Sequence, residues 1–176
     1  DVFLNADASK NPHCVAQIDP IDADHPSSQI KSVSCYPTFK EAVADATNGT
    51  VQISDDFRPD QLTDELIAPA ATSGSTVIGL MWEHPQYSTA QGGRTWTWTS
   101  SLASPCANGI SYGNSTMPTG WNDIVSSAQV FSNCTNFEFY QHANWAPLRM
   151  DCTPACPAMG AMNDQASSWR IDAVIP

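Results

Sequence analysis

The sequence predicts a mainly β protein with a small α+β segment at its N-terminus. Three observations lead to this prediction: runs in which apolar residues alternate, an internal repeat in the second half of the chain, and six cysteines. Alternation at a period of two is typical of strands that bury one face. An even number of cysteines in a chain poor in charged residues is typical of a disulfide-bonded domain.

The composition changes near residue 72 and divides the chain into two regions. Residues 1–72 contain 12 acidic and 4 basic residues and are rich in Asp and Pro. Residues 73–176 contain 6 acidic and 3 basic residues and hold all six Trp. Residues 70–75 have the small and polar composition of a linker. We predict an acidic N-terminal extension with one short helix over residues 1–72, and a β domain over residues 73–176.

The charge of the whole chain restricts its partners. The 176 residues include 7 basic and 18 acidic ones, for a net charge of -11. General binding to nucleic acid needs clustered Lys and Arg, and an acidic surface is repelled by anionic lipid. No apolar run approaches the ~20 residues that span a bilayer. The chain starts at Asp1 without an apolar targeting segment, so we expect a mature, processed product.

The clearest local pattern in the extension is a helix over residues 37–47. Thr38 and Glu41 have the spacing of a capping box, in which each side chain binds a free backbone amide. Apolar residues then recur at helical spacing, namely Phe39, Ala42, Val43 and Ala46. The Asn-Gly pair at residues 48–49 can end the helix in a left-handed conformation. Residues 50–53 are predicted to form a short strand.

The acid-rich run at residues 19–25 suggests a calcium loop, but it lacks the Gly and the final Glu of an EF-hand. We interpret it as a solvated loop. The acidic pairs at residues 55–56 and 64–65 are interpreted as exposed turns or helix starts.

The cysteines are predicted to form three disulfides between neighbours in sequence. These pairs are Cys14–Cys35, Cys106–Cys134 and Cys152–Cys156. Sequence alone allows about fifteen pairings. Zinc is the competing interpretation for the last pair, because a gap of four residues is tolerable for two ligands. No His or second Cys pair follows at the spacing of a zinc finger.

Three sequons for N-glycosylation fit a secreted glycoprotein, at Asn48, Asn114 and Asn133. Their number is close to the chance expectation for this composition. The Cys in the middle of the last sequon makes that position a poor acceptor.

An internal repeat occupies the second half of the chain. Residues 121–130 align with residues 162–171 at an offset of 41, and both contain Asn-Asp-x-x-Ser-Ser. Upstream of these segments, residues 79–87 resemble residues 137–145. Each upstream segment is an alternating strand followed by an aromatic residue, a polar residue, a His and a further aromatic residue. The order is therefore hairpin, loop, hairpin, loop.

These paired segments resemble the βγ-crystallin superfamily, in particular its secreted microbial members. The resemblance covers residues 76–175, a little over half of the chain. It implies a double Greek-key β-sandwich that binds calcium, with two ions as the expected number. In calcium-binding members, a loop acid and backbone carbonyls of one motif join a Ser hydroxyl of the other motif and a carbonyl from a hairpin.

The resemblance carries a set of metal-ligand candidates onto this sequence. The two loops contribute Asn122, Asp123, Ile124, Ser126, Asn163, Asp164, Gln165 and Ser167, and the hairpins contribute the carbonyls of Glu83 and Gln141.

The chemistry of the repeated loops supports calcium independently. Calcium takes six to eight oxygen ligands in flexible geometry. The motif offers carboxylate, amide and hydroxyl oxygens without thiolate or imidazole, which disfavours softer metals. One carboxylate per loop predicts micromolar or weaker affinity. The alternative is purely structural, because Asn, Asp and Ser also form turns unaided.

The chain departs from the family pattern in two places. The hairpins lack a Gly soon after their second aromatic residue, and the stretch from His84 to Asn122 is longer than its counterpart in the second motif. We interpret the excess, which contains Cys106, as a stapled loop insertion.

Two further groups of residues have structural and functional interpretations. His84 and His142 are equivalent in the repeat, which favours hairpin packing or exposure over catalysis. Trp96 and Trp98 share one face of an alternating strand, which favours joint burial over a carbohydrate-binding surface.

Known catalytic motifs are missing from the sequence, including the nucleophile elbow, the zincin helix and the phosphate loop. No catalytic residue is therefore predicted, and a non-enzymatic role is favoured. We expect a secreted, monomeric calcium-binding protein that serves as a binding or effector module and binds neither nucleic acid nor membrane. One alternative is a metalloproteinase inhibitor or an antimicrobial, killer-toxin-like protein, with a protease as its target. Another is a secreted hydrolase that acts on a cell-wall glycan through acids that meet only in space.

Overall fold

A computed structural model describes residues 10–174 of the chain. The first nine residues of the predicted extension and the last two of the predicted β domain lie outside the described part. The strands are β1 (His13–Ile18), β2 (Ile30–Tyr36), β3 (Thr76–Trp82), β4 (Thr95–Ser100), β5 (Tyr112–Asn114), β6 (Ser127–Val130), β7 (Asn136–His142), β8 (Ala146–Cys152), β9 (Ala155–Cys156) and β10 (Ser168–Asp172). The α-helices are α1 (Phe39–Ala46) and α2 (Asp64–Ile67).

The strands form two sheets, and each of the two Greek-key motifs contributes one strand to the sheet of the other motif. One sheet has the order β2-β1-β4-β3-β6-β9 and the other has the order β5-β10-β7-β8. β3 to β6 form one four-stranded motif and β7 to β10 form the next. The third strand of each motif, β5 or β9, pairs in the sheet of the other motif. The predicted double Greek-key sandwich is confirmed by this order.

The N-terminal segment extends the first sheet. β1 pairs in parallel with β4, from His13 opposite Thr95 to Gln17 opposite Thr99. β2 then pairs antiparallel with β1 and forms the edge of the sheet. Ala16 and Ile18 belong to the core cluster of the sandwich, so the segment and the Greek keys share one core.

The predicted helix is confirmed as α1. Thr38 Oγ1 accepts the amide of Glu41 at 3.2 Å, and the Glu41 carboxylate accepts the amide of Thr38 at 3.1 Å. The buried face consists of Phe39, Ala42, Val43 and Ala46. Asn48 follows the helix with a φ of 48°, in the left-handed region that Asn tolerates.

Two predictions for the N-terminal segment are wrong. Residues 50–53 form no strand, because no neighbouring strand pairs with them. Val51 and Ile53 are instead buried in the core cluster that contains α1. Residues 70–75 are not a free linker, because a short 3-10 helix (Ala68–Thr72) buries Ala70 and the hydroxyl of Ser75 donates to the Ala46 carbonyl at 2.7 Å.

The acidic pairs and the acid-rich run lie as expected. Asp64 and Glu65 begin α2, with Thr63 as the N-cap residue. Between Ile21 and Pro26 the chain is exposed or half-buried and forms bends, and the Asp22 carboxylate accepts the amides of Asp24 and His25.

Aromatic side chains fill the space between the two sheets. Trp96 and Trp98 are both buried, which confirms their predicted joint burial and excludes them as an exposed sugar-binding face. The Trp98 ring stacks on Trp169 at 4.2 Å, and Phe137 packs edge-on against Trp169.

All three predicted disulfides are present. Cys14–Cys35 links β1 to β2, Cys106–Cys134 staples the long loop of the first motif to the start of the second, and Cys152–Cys156 joins β8 to β9. The zinc interpretation of the last pair is wrong, because both sulfurs are consumed by the bond. Within residues 10–174, no helix is long and apolar enough to cross a membrane.

Candidate metal site at the paired loops

The two repeated loops lie side by side and bind each other through their backbones. The Asp123 amide donates to the Ala166 carbonyl at 3.1 Å, and the Asp164 amide donates to the Val125 carbonyl at 3.2 Å. The two bonds are related by the repeat, so the loops meet around a local twofold axis.

Each loop also supplies a hydroxyl to the acid of the other loop. Ser126 Oγ donates to Asp164 Oδ1 at 3.0 Å, and Ser167 Oγ donates to Asp123 Oδ1 at 3.3 Å. Ser126 is buried, whereas both Asp side chains are exposed to solvent. The result is two hydroxyl–carboxylate pairs, each built from both motifs.

The Asn-Asp pair gives each loop its shape. Asp123 has a φ of 59° and Asp164 has a φ of 54°, a left-handed conformation that Asp and Asn tolerate better than most residues. The side-chain amides of Asn122 and Asn163 donate to the carboxylate of the following Asp at 2.7 and 2.8 Å. The two Asn residues thus support the carboxylates, and their donating amide nitrogens face the acids.

The hairpins bring the two remaining candidates to the loops. The Ser126 amide donates to the Trp82 carbonyl at 3.0 Å, and the Ser167 amide donates to the Tyr140 carbonyl at 2.8 Å. Glu83 and Gln141 are the next residues along the chain, so their backbones lie beside the two hydroxyl–carboxylate pairs.

The ten predicted residues therefore gather into two symmetry-related groups. We call the first group site 1: Asp123, Ile124, Ser167 and Gln141, with Asn122 in support. We call the second group site 2: Asp164, Gln165, Ser126 and Glu83, with Asn163 in support.

The second Ser of each motif stabilises the hairpin. Ser127 Oγ donates to the His84 carbonyl at 2.7 Å and accepts the Tyr87 amide at 3.1 Å. Ser168 Oγ makes the same bonds with the His142 carbonyl and the Trp145 amide. These bonds involve only the backbone of the two His residues; His84 is half-buried and His142 is exposed.

Arg94 is a residue of the site that the sequence analysis missed. Its guanidinium binds both carboxylate oxygens of Glu83 at 3.2 Å and the Gly120 carbonyl at 3.0 Å, and it lies over the Trp121 ring at 5.5 Å. Burial raises the pKa of Glu83, but the hydrogen bonds from Arg94 outweigh this effect and hold that pKa below its usual value. We call Arg94, Glu83, Gly120 and Trp121 the Arg94 clamp.

A cleft occupies the corresponding position of the second motif. Its volume is about 610 Å³, and Leu148, Met159, Met162, Gln141 and Gln165 contribute to its walls. Leu148 has a large apolar side chain, yet 60% of it is exposed to solvent. The cleft adjoins site 2 through Gln165 and site 1 through Gln141.

Acids elsewhere on the second sheet are held in a polar network. Arg149 donates to Glu138 at 3.2 Å and to Asp151 at 3.0 Å, and Tyr140 donates its hydroxyl to Glu138. Burial, followed by the interaction with Glu138, raises the pKa of Tyr140. Arg149 therefore bridges the two acids and offsets part of their charge, and the arrangement stabilises the sheet.

The oxygen atoms of the paired loops are suitable ligands for a hard cation. Within residues 10–174, no three side chains of His, Cys, Asp or Glu form a metal-binding group. A cation at site 1 or site 2 would take one carboxylate, one hydroxyl and backbone carbonyls, which is the ligand chemistry of calcium rather than of zinc or copper.

The three sequons differ in accessibility. Asn48 is exposed and its side-chain amide donates to the Ser73 carbonyl, whereas Asn114 is half-buried in β5. Asn133 is exposed, and its side-chain oxygen accepts the Cys106 amide at 2.9 Å.

Comparison with solved structures finds similarity to βγ-crystallin domains. A βγ-crystallin from an archaeon is 17% identical with a TM-score of 0.37, over 53% of this chain and 95% of its own. A βγ-crystallin domain from Clostridium beijerinckii, solved as a point mutant, is 20% identical with a TM-score of 0.38. This match covers 54% of this chain and 97% of the Clostridium domain. A βγ-crystallin from Ciona intestinalis is 18% identical with a TM-score of 0.35, over 54% and 96%.

No protein-family model and no curated protein sequence matches the chain. The structural matches cover nearly all of each βγ-crystallin domain and about half of this chain. The exchange of β5 and β9 between the two sheets is the evidence for the fold. The predicted double Greek-key fold is therefore confirmed by the strand order of the chain itself.

Proposed function

We propose that this protein binds two calcium ions, one at site 1 and one at site 2. The observation that carries the proposal is the reciprocal pairing of Ser126 with Asp164 and of Ser167 with Asp123. A turn can form without such pairing, because Asn and Asp shape it locally. Reciprocal pairing instead brings oxygen atoms of two motifs together at two equivalent points.

The ligands follow from the grouping of the residues. At site 1 the ion takes the Asp123 carboxylate, the Ser167 hydroxyl and the carbonyls of Ile124 and Gln141. At site 2 it takes the Asp164 carboxylate, the Ser126 hydroxyl and the carbonyls of Gln165 and Glu83. Four protein oxygens leave room for water in a shell of six to eight ligands. With one carboxylate per ion, we expect micromolar or weaker affinity.

Calcium titration calorimetry and thermal unfolding test the proposal. We expect two bound ions, and one fewer in each of the single variants Asp123→Asn and Asp164→Asn. Calcium that binds only the folded protein adds about 2.7 kcal/mol of stability per site at a hundredfold excess over Kd. The protein should therefore unfold at a higher temperature in calcium than in chelator. In each single variant this difference in unfolding temperature should be smaller.

Asp24→Asn is the matched control. Asp24 is exposed in the acid-rich loop and lies outside both sites, so its removal changes the net charge by the same amount. The control should bind two ions. The proposal fails if the wild-type protein takes up no calcium, or if Asp24→Asn weakens binding as much as Asp123→Asn does.

We further propose that the protein is secreted and serves as a binding or effector module. The three disulfides favour an oxidising compartment. Residues 101–104 form an exposed stretch just before the Cys106–Cys134 bridge, which suits a loop that inserts into a protease. Inhibition assays against metalloproteases, with residues 101–104 replaced by Gly and Ser, test this alternative.

The short loop between Cys152 and Cys156 is a second candidate for such an inhibitory loop, and it is less suitable. Pro154, between Cys152 and Cys156, accepts the amide of Val130, and Ala155 pairs with Gln129 in the first sheet. The backbone of this loop is thus engaged within the fold.

A further inference from the structure

The two motifs differ at the point where the hairpin meets its loop. In the first motif, Arg94 binds the Glu83 carboxylate on the hairpin and the Gly120 carbonyl just before the loop. Its guanidinium covers the ring of Trp121, which directly precedes the Asn-Asp pair. Gly120 has a φ of 79°, so the turn that presents its carbonyl to Arg94 is one that favours glycine.

The register of the sheets identifies the counterparts in the second motif. Trp82 pairs with Thr95 and Tyr140 pairs with Arg149, and Trp82 is the repeat partner of Tyr140. Arg94 precedes Thr95 and Leu148 precedes Arg149. Leu148 is therefore the counterpart of Arg94. By the same alignment Gln141 replaces Glu83 and Met162 replaces Trp121.

The cleft of the second motif lies where the Arg94 clamp lies in the first motif. Leu148, Gln141 and Met162 all line it, together with Ala161, the counterpart of Gly120. Leu148 cannot donate hydrogen bonds and remains 60% exposed. The second loop is tied to its hairpin by a neutral, solvent-exposed hydrogen bond, from Gln141 Nε2 to Gln165 Oε1 at 2.6 Å. The first loop is tied by the charged guanidinium of Arg94, which is itself anchored on Glu83.

We propose that Arg94 is a positioning residue that holds the first loop in its calcium-binding conformation before the ion arrives, so that site 1 binds calcium more tightly than site 2. This inference rests on the proposed function. An ion that binds a mobile loop must order it, and that cost lowers the affinity. The Arg94 clamp reduces the cost for the loop that supplies Asp123 and Ile124. The second loop, which supplies Asp164 and Gln165, is held by the neutral Gln141–Gln165 bond in place of a charged clamp, so it bears more of this cost.

Hydrogen exchange of the calcium-free protein tests the clamp without the metal. The amides of Trp121 and Met162 are matched reporters, because each donates to a carbonyl three residues back at 2.9 Å. We expect the Trp121 amide to exchange roughly tenfold more slowly than the Met162 amide, as a charged hydrogen bond implies. Arg94→Met, which keeps the aliphatic stem over Trp121, should bring the two rates together. Equal rates in the wild type would overturn the clamp.

Site-resolved calorimetry tests the effect on calcium. In the Asp164→Asn background only site 1 remains, and in the Asp123→Asn background only site 2 remains. We expect the first variant to bind more tightly, and Arg94→Met to weaken site 1 roughly tenfold. Site 2 should weaken less, because the first motif gives it only the Glu83 carbonyl and the Ser126 hydroxyl, and the Ser126 amide is also held by the Trp82 carbonyl. Arg94→Lys should recover little of the calcium affinity that site 1 loses in Arg94→Met, because Lys lacks the planar, forked guanidinium that binds Glu83 and Gly120 together. Equal weakening of both sites would mean a merely structural role and would contradict the inference.

A transplant of the clamp into the second motif gives a test by gain of affinity. The double variant Gln141→Glu/Leu148→Arg places the acid and the guanidinium at the equivalent positions. Site 2 should then bind calcium several-fold more tightly, and the Met162 amide should exchange more slowly. Gln141→Glu alone is the control for added charge, and it should leave that amide unchanged.

The outcomes separate this inference from the proposed function. Absence of calcium binding in every variant refutes the proposed function and, with it, the order of affinities. Binding of two ions with equal affinity refutes only the inference.

Discussion

Two hydroxyl–carboxylate pairs define the candidate site at the scale of single residues. Each pair joins a Ser and an Asp that lie 38 or 44 positions apart, so neither loop forms the pair alone. The paired loops could be predicted because the same six-residue pattern occurs twice in the sequence. The Arg94 clamp could not, because Arg94 and Gly120 are 26 positions apart and the bond ends on a carbonyl, which carries no sequence signal.

The Ser126 hydroxyl should matter to site 2 alone. In Ser126→Ala the ion loses one oxygen ligand, and we expect calcium affinity at site 2 to fall roughly tenfold, the equivalent of ~1.4 kcal/mol. Site 1 should change little. Calorimetric titration in the Asp123→Asn and Asp164→Asn backgrounds measures both effects, with Ser101→Ala in the exposed loop as the control. An equal loss at the two sites would contradict the assignment.

His13 should make stability depend on pH. Burial lowers the pKa of His13 from 6.5 to about 4, and its Nδ1 lies 2.9 Å from the Thr95 hydroxyl. Between these two values the unfolded chain binds more protons than the native protein, so stability decreases as the pH falls. The contribution is complete above about pH 6.5. It amounts to about 3 kcal/mol at ~1.36 kcal/mol per unit, and it is lost by about pH 4.

Denaturant unfolding between pH 4 and 7 measures this contribution. His13→Gln cannot titrate, so its stability should vary less steeply with pH over that range. His25→Gln is the matched control, because His25 is exposed. The same slope in His13→Gln and the wild type would show that His13 is not the cause.

At the scale of elements, local sequence patterns were sufficient to predict α1 but not to predict how the N-terminal strands pair. The capping box and the apolar spacing predicted α1, because both act within one helical turn. Residues 50–53 have the composition of a strand, but a strand forms only beside a pairing partner. The sequence of this segment does not show whether such a partner lies next to it. β1 carries no local sign that it pairs in parallel with β4, whose residues lie 82 positions further along the chain.

The capping box of α1 should contribute measurably to stability. Thr38→Ala removes the oxygen that accepts the Glu41 amide, and we expect a loss of about 1 kcal/mol in the free energy of unfolding. Denaturant unfolding measures it, with Thr72→Ala as a control at an exposed hydroxyl outside any N-cap. A loss below a few tenths of a kcal/mol would contradict the importance of the cap.

At the scale of the whole molecule, the N-terminal segment and the Greek keys form one folded unit. The compositional boundary near residue 72 reflects chemistry rather than a domain boundary in the described residues, because β1 contributes to the sheet and to the core. The predicted disulfides are likewise distributed over the unit, with one in the N-terminal segment and two in the Greek keys.

The disulfides should contribute to stability according to the length of chain that they close. Cys106–Cys134 spans 28 positions and Cys152–Cys156 spans 4. The chain-entropy relation gives about 3.5 kcal/mol for the first and about 2 kcal/mol for the second. Denaturant unfolding of the two double Cys→Ala variants should reproduce this order. A larger loss for the short loop would contradict the entropic account.

The central claim is that the two paired loops hold two calcium ions. Its most direct test is calorimetric calcium titration of the wild-type protein beside the double variant Asp123→Asn/Asp164→Asn. We expect two ions per wild-type chain at micromolar or weaker Kd and none for the double variant, which should still fold. Unchanged binding by the double variant, or no binding by the wild type, would contradict it and leave the loops as structural corners of the sandwich.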